Sequence, residues 1–368
     1  MKSRMINKRL YFALLAGMCL LIGCHNNLIG SGGSVWTQGT GVINVNHFYA
    51  SGGNLLASTY CAPCSQAYIF LSTDEGVTWK LDTTFHVYNH YVMCSDSICV
   101  TNGQYLSAPI TFMSDGKYVF AGVSDCFRGA IYRSSDNGIT WSNEGISWPE
   151  NDSNHSEDIN CFSVLNGNIF AGTYHGIFVS TDEGSSWRAD NAGLPIIYTG
   201  HPPTITDLVV EGGNLFASSG GYNIYRSMNG GASWAEVDSI DGSFHRLAAI
   251  GSEVFASAFN VPDEPVTGGV FASTDNGKSW QRADADLPDH GVGDICANGS
   301  YLFAGTETAI FFSDDLGATW IDISNAAPFS GATPTVWSDG PYLFANSGGG
   351  VWRYPLFLLP VFSQNRTD

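Results

Sequence analysis

Cationic residues are scarce in this chain: 15 Lys and Arg stand against 34 Asp and Glu over 368 residues, a formal net charge of −19. A surface of that sign repels phosphate backbones and anionic headgroups, which excludes nucleic acid and anionic lipid as partners. Helical periodicity is missing throughout, and so is any linker or shift in composition, so one β-rich domain is expected. Long hydrophobic runs are lacking too. The longest, YFALLAGMCLLIG at 11–23, is about 13 residues, too short to cross a bilayer as a helix.

That run follows Lys2, Arg4, Lys8 and Arg9, and a basic segment before a short apolar one has the shape of an export signal. Its end, Leu21-Ile22-Gly23-Cys24, resembles the bacterial lipobox. The resemblance implies cleavage before Cys24 and acylation of that residue, each buried methylene adding roughly 0.8 kcal/mol to the anchor. Residues 1–23 are then a lipoprotein signal peptide and 24–33 a short flexible tether. The chain is exported and lipid-anchored, at the outer membrane and periplasm or the cell surface; His25, where the family rule for inner-membrane retention wants an aspartate, leans toward the outer membrane. Loss of the four leader cations leaves 11 Lys and Arg against 34 acids, near −23.

Repetition is what the chain has in abundance. LSTDEGVTW (71–79) returns as RSSDNGITW, VSTDEGSSW, RSMNGGASW, ASTDNGKSW and FSDDLGATW. The copies end at Trp79, Trp141, Trp187, Trp234, Trp280 and Trp320, spaced 62, 46, 47, 46 and 40 residues apart. A second phrase travels with them seven times: LLAST, VFAGV, IFAGT, LFASS, VFASA, LFAGT and LFANS. Each is preceded by a Gly-rich turn and another apolar run, so a unit reads as four short strands. Seven such units predict an all-β, seven-bladed β-propeller with four-stranded antiparallel blades over 34–356, and 357–368 as a short tail. The last unit lacks a Trp-bearing fourth strand while Trp36 stands alone near the start, so residues 34–40 are expected to complete the last blade. An eighth, degenerate blade within 83–107 is the alternative.

The pattern S-x-D-x-G-x-[ST]-W resembles the Asp-box, or BNR repeat. The resemblance implies that Asp74, Asp136, Asp182, Asp275, Asp315 and, in unit four, Asn229 accept hydrogen bonds within their own turns as structural hairpin locks at the rim. Proteins with this repeat include sialidases, xyloglucan-type glycosidases, sortilin ectodomains and photosystem II assembly-factor propellers. LFAGT with the ending GVWRYPL is most similar to exported bacterial propellers of the lipoprotein type. Such a likeness implies fold better than activity. Sialidases grip their substrate with an arginine triad and carry an Arg-Ile-Pro motif near the start, which is absent here. By repeat register Arg133, Arg226 and Arg353 fall on third strands, Arg188 and Arg282 on outermost strands and Arg366 in the tail. Arg128 and Arg246 remain, and two cannot make a triad, so sialidase activity is disfavoured.

Counting back from each LFAGT-like phrase gives one position on every innermost strand: His47, Thr111, Cys161, Asp207, Arg246, Asp294 and Thr335. His47, Asp207, Arg246 and Asp294 are the candidates for a ring at the channel mouth. The bland reading is a charge-paired collar; the other is a binding or catalytic site. A neutral-glycan hydrolase needs two carboxylates roughly 5–9.5 Å apart, here Asp207 or Asp294 with a loop acid. Arg246 beside them is expected to lower their pKa, a poor setting for a general acid. The expected function is a non-catalytic, monomeric binding module for an envelope or extracellular protein or glycan, with the glycoside hydrolase as the alternative.

Beyond Cys19 and Cys24, seven cysteines remain, and export favours disulfides. Cys94 and Cys99 suit a hairpin staple, and Cys126 and Cys161 a bridge between neighbouring blades; Cys296, within a strand, is expected to be a buried free thiol. Cys61, Cys64, Cys94 and Cys99 as a zinc site is the rival, with no metal assigned. The long loops 82–109, 143–158, 189–204 and 258–268 gather on the face opposite the Asp-boxes, where loops of all blades converge. NDSNHSED and NVPDEPVTGG offer acids for Ca²⁺ without a defined ligand spacing, so no cofactor is expected.

Overall fold

The apolar runs of the repeat form strands, and the Gly-rich phrases between them form turns. The computed structural model describes residues 37–40, 45–61, 66–82, 109–123, 130–142, 159–197, 200–220, 223–237, 243–259, 268–288, 291–324, 329, 334–347 and 350–360. They form seven antiparallel sheets, six of four strands and one of three. In the three-stranded second blade the fourth strand shrinks to one bridge, Arg133 with Ser142. The fold is a seven-bladed β-propeller.

The innermost strands are Val45–Ser51, Pro109–Ser114, Ile159–Leu165, Ile205–Glu211, Ser243–Ile250, Val292–Asn298 and Val336–Asp339. Each packs on the next in chain order and the seventh on the first, which closes the ring. The first and second blades are direct neighbours, sharing a core of Leu56 and Ile69 with Phe112 and Val119. No eighth blade stands between them; residues 83–107 themselves lie outside the described residues.

Closure is made by the N-terminal segment. Thr37–Gln38 pairs antiparallel with Gly350–Pro355, Thr37 opposite Arg353 and Gln38 opposite Trp352, and so completes the last blade. The segment then reaches blade one, where Thr40 exchanges backbone bonds with Val77 and Trp79. Trp36 lies outside the described residues. Asn346 of blade seven also donates to Val45 O of blade one.

The second phrase of the repeat fills the interfaces between blades. Its second residue is buried in every blade: Leu56, Phe120, Phe170, Phe216, Phe255, Phe303 and Phe344. In five cases it lies against the turn glycine of the following blade. A β-carbon at Gly184 would stand 2.4 Å from Phe120, at Gly231 2.4 Å from Phe170 and at Gly277 2.5 Å from Phe216. Gly76 meets Phe344 and Gly138 meets Leu56 in the same way. The two recurrent phrases therefore touch across every one of these seams, and only a residue without a side chain fits.

Candidate functional site

The six repeat turns are one device built six times. In blade three, the buried Ser180 hydroxyl donates to Asp182 Oδ1 at 2.8 Å and accepts from Gly184 N at 2.9 Å. Ser186 gives its N–H to Oδ1 and its hydroxyl to Oδ2, at 2.8 and 2.6 Å. Glu183 and Gly184 both take left-handed backbone, φ 57 and 79. Asp74, Asp136, Asp275 and Asp315 repeat these bonds with their own flanking hydroxyls. In blade four Asn229 accepts from Ser233 N and Ser227 Oγ but donates its amide to Ser233 Oγ. These bonds hold Asp74, Asp136, Asp182 and Asp275 below the usual carboxylate range, Asp275 at about 2. Every lone pair so used is unavailable to a substrate.

Third-strand arginines tie three of the turns to the blade before them. Arg133 donates to Glu183 O, Arg226 to Asn276 O and Arg353 to Glu75 O. Sequence register placed these arginines on third strands; each reaches from there to the turn of the following blade.

The residues that sequence register put on the innermost strands do occupy equivalent sites. His47, Thr111, Cys161, Asp207, Arg246 and Asp294 pair with Ser58, Gly122, Gly172, Ser218, Ser257 and Gly305 on the second strands. Thr335 stands just before the seventh inner strand, its O accepting from Asn346 N. Beside each of the first six the ladder slips by one residue, a β-bulge. Bulges re-aim side chains, and no sequence signal announced them. These positions lie near the start of each inner strand.

Arg246 Nε stands 3.8 Å from Asp294 Oδ1 on the adjoining blade, with 21 and 12 % of their side chains accessible. Asp294 also accepts from Ile295 N and, across the seam, from Val336 N at 2.9 Å. Asp207 accepts from Leu208 N and, across its own seam, from Leu247 N at 2.8 Å. Each carboxylate thus staples its blade to the next. Arg246 does act to lower these carboxyls, but burial, which the sequence did not reveal, outweighs the guanidinium and pushes Asp294 up to about 6, and Asp207 up as well. Burial, aided by Arg246, holds His47 down at about 3, so its imidazole is neutral at ordinary pH.

Cys161 is a buried free thiol and Cys296 a free, partly buried one. Burial raises both well above their ordinary value. The bridge expected between Cys126 and Cys161 is therefore absent at Cys161; Cys126 lies outside the described residues, as do Cys24, Cys64, Cys94, Cys99, Arg128 and the loops 143–158 and 260–267. Among the described residues no group of three or more His, Cys, Asp or Glu could hold a metal.

An aromatic cluster on the loop face went unseen in the sequence. Tyr174 and His175, in the tight turn after the second strand of blade three, meet His201 of the long loop that follows. The imidazoles of His175 and His201 lie edge to face at 4.3 Å, and Tyr174, 47 % exposed, stands 5.2 Å from His175. Thr204 Oγ1 donates to Tyr174 O and fixes loop to turn. Nothing repeats here, so register offered no pointer.

No protein-family model matches this chain, and no curated protein matches it in sequence. Solved structures match its fold. It is similar to YCF48 bound to D1 peptide, with TM-score 0.62 and 14 % identity over 89 % of this chain and 96 % of that one. It is similar to YCF48 from Cyanidioschyzon merolae, with TM-score 0.60 and 15 % identity over 88 and 99 %. A GH74 xyloglucanase from Xanthomonas campestris gives TM-score 0.60 and 18 % identity, with 87 % of this chain covering 53 % of that enzyme. At such identities the likeness is one of fold.

Proposed function

We propose that this chain is an exported, lipid-anchored propeller of the Asp-box type that binds protein or glycan on its loop face without transforming it. The observation that carries the reading is the bonding of Asp207 and Asp294. Both carboxylates are committed to backbone N–H groups of the adjoining blades, which suits a collar that shapes the mouth and leaves contact to the loops around it. The exposed Tyr174 ring beside His201 offers a stacking surface of the kind that sugars and aromatic or cationic side chains use. The peptide-bound YCF48 supports a protein ligand and the xyloglucanase a glycan, each by fold alone.

A neutral-glycan hydrolase is the second reading, favoured by one feature: Asp294, at about 6, could hold a proton near neutral pH as a general acid must. The full chain on a glycan array and in an envelope-protein pull-down separates the two. A binder retains ligand unchanged and loses affinity by roughly tenfold in Tyr174→Ala. Release of reducing ends, abolished in Asp294→Asn, would replace the binding reading with the hydrolytic one.

A further inference from the structure

Among the described residues nine large apolar side chains are exposed, and six share one face: Val77, Ile139, Met228, Leu316, Phe357 and Leu358. The first four stand on the repeat turns of blades one, two, four and six. Phe357 and Leu358, 71 and 40 % exposed, belong to the short helical turn Leu356–Leu358, which occupies the corresponding place in blade seven. Single exposed apolar residues need no explanation. The gathering of six of the nine on one face of the disc does, because the turn tolerates polar residues: Ser185 and Lys278 hold the place of Val77 and Ile139 in blades three and five.

The chain enters the ring on that face. Because Thr37–Gln38 runs antiparallel to Gly350–Pro355, with Thr37 opposite Arg353, its N-terminal end is the end beside Pro355 and the Leu356–Leu358 turn. Twelve residues separate Cys24 from Thr37, a reach of at most about 45 Å. A lipid on Cys24 would therefore hold the apolar turns of blades six, seven and one close to the bilayer.

We propose that this face rests on the membrane carrying the anchor, with Phe357, Leu358, Val77 and Leu316 at the headgroup boundary. The proposal builds on the lipid-anchored reading above. Its surface is a zwitterionic one: Asp74 and Glu75 are exposed on the turn of blade one, where anionic headgroups would repel them, while the exposed Glu183 on the turn of blade three is paired with Lys117 at 2.5 Å. Arg353 and Arg133 donate to backbone oxygens of those two turns. Docked in this way, the disc turns its loop face and channel mouth away from the lipid, toward a partner.

The test uses the full chain purified from membranes and reconstituted into phosphatidylcholine vesicles containing a headgroup-nitroxide lipid. A fluorescent coumarin amino acid replaces either Phe357 or, on the opposite face, Tyr174; both sites are exposed, so folding is not at stake. Quenching is expected to be at least about threefold stronger at 357 than at 174, with the contrast falling when phosphatidylglycerol is added. Equal quenching of the two probes, or a contrast that grows with anionic lipid, overturns the proposal. The mass of the N-terminal peptide tells the two layers apart. An unmodified Cys24 would sink the anchored reading and this one with it, whereas an acylated chain with equal quenching sinks the orientation alone.

Discussion

At the level of single residues, the repeat turn shows how a charge can be structural. Asp182 receives two hydroxyls and a backbone N–H, all within the seven residues 180–186. Such bonds favour the ionised form, so the turn aspartates add stability above the ordinary carboxylate pKa near 3.9 and lose it as pH falls, for Asp275 through about 2. Asp294 works in the opposite sense. Its native pKa of about 6 lies above the unfolded one, so its contribution is complete below pH ~4 and is lost as pH rises through about 6. Blade four offers a clean comparison, since Asn229 keeps the bonds without the charge. Asn229→Asp should raise stability by about 0.5–1 kcal/mol at pH 7, because a hydrogen bond to a carboxylate outweighs one to an amide. Melting curves at pH 7 and pH 3 should show the gain at the first and a smaller one at the second.

At the level of the element, the turn and the phrase before it are coupled through the neighbouring blade. Phe120 closes against Gly184, whose backbone is left-handed at φ 79. Gly184→Ala therefore meets both a steric and a conformational obstacle and should cost about 2–4 kcal/mol, read from denaturant midpoints. Gly167→Ala, with φ also 79 but nothing within 4 Å, should cost about 1 kcal/mol. The sequence displayed both phrases, because each recurs and each obeys strand or turn chemistry. It did not display that they meet, since contact between blades joins residues 61 to 82 positions apart, and 268 apart at the closing seam, that share no local pattern. The same divide runs through the site. His47, Asp207, Arg246 and Asp294, which register marked out, each lie opposite a second-strand residue. Register could not find the bulges that aim them, the backbone partners Leu247 and Val336, or the balance of burial against Arg246, all of which depend on neighbouring blades. Tyr174 and His201 were illegible for a simpler reason: they occur once.

At the level of the whole molecule, stability depends on completing the circle. Residues 37–40 supply the pairing with Gly350–Pro355, three backbone bonds that join Gly39 and Thr40 to blades seven and one, and an oxygen for Arg353 Nε. A chain beginning after Thr40 should lose about 3–4 kcal/mol at roughly 1 kcal/mol per bond. It should also expose Gly350–Pro355 as an open edge. A fall in melting temperature together with new dimers or larger species on size-exclusion chromatography is the expected result; an unchanged monomer at the same melting temperature would show that the seam is held without this segment.

That seam also sets the timing of folding. The strand made earliest by the ribosome finds its partner more than 300 residues later, so blades one to six can assemble on the nascent chain while the seventh waits. Joining such distant segments is entropically slow, and until it happens a bare strand edge at the end of the growing stack invites pairing with a stranger.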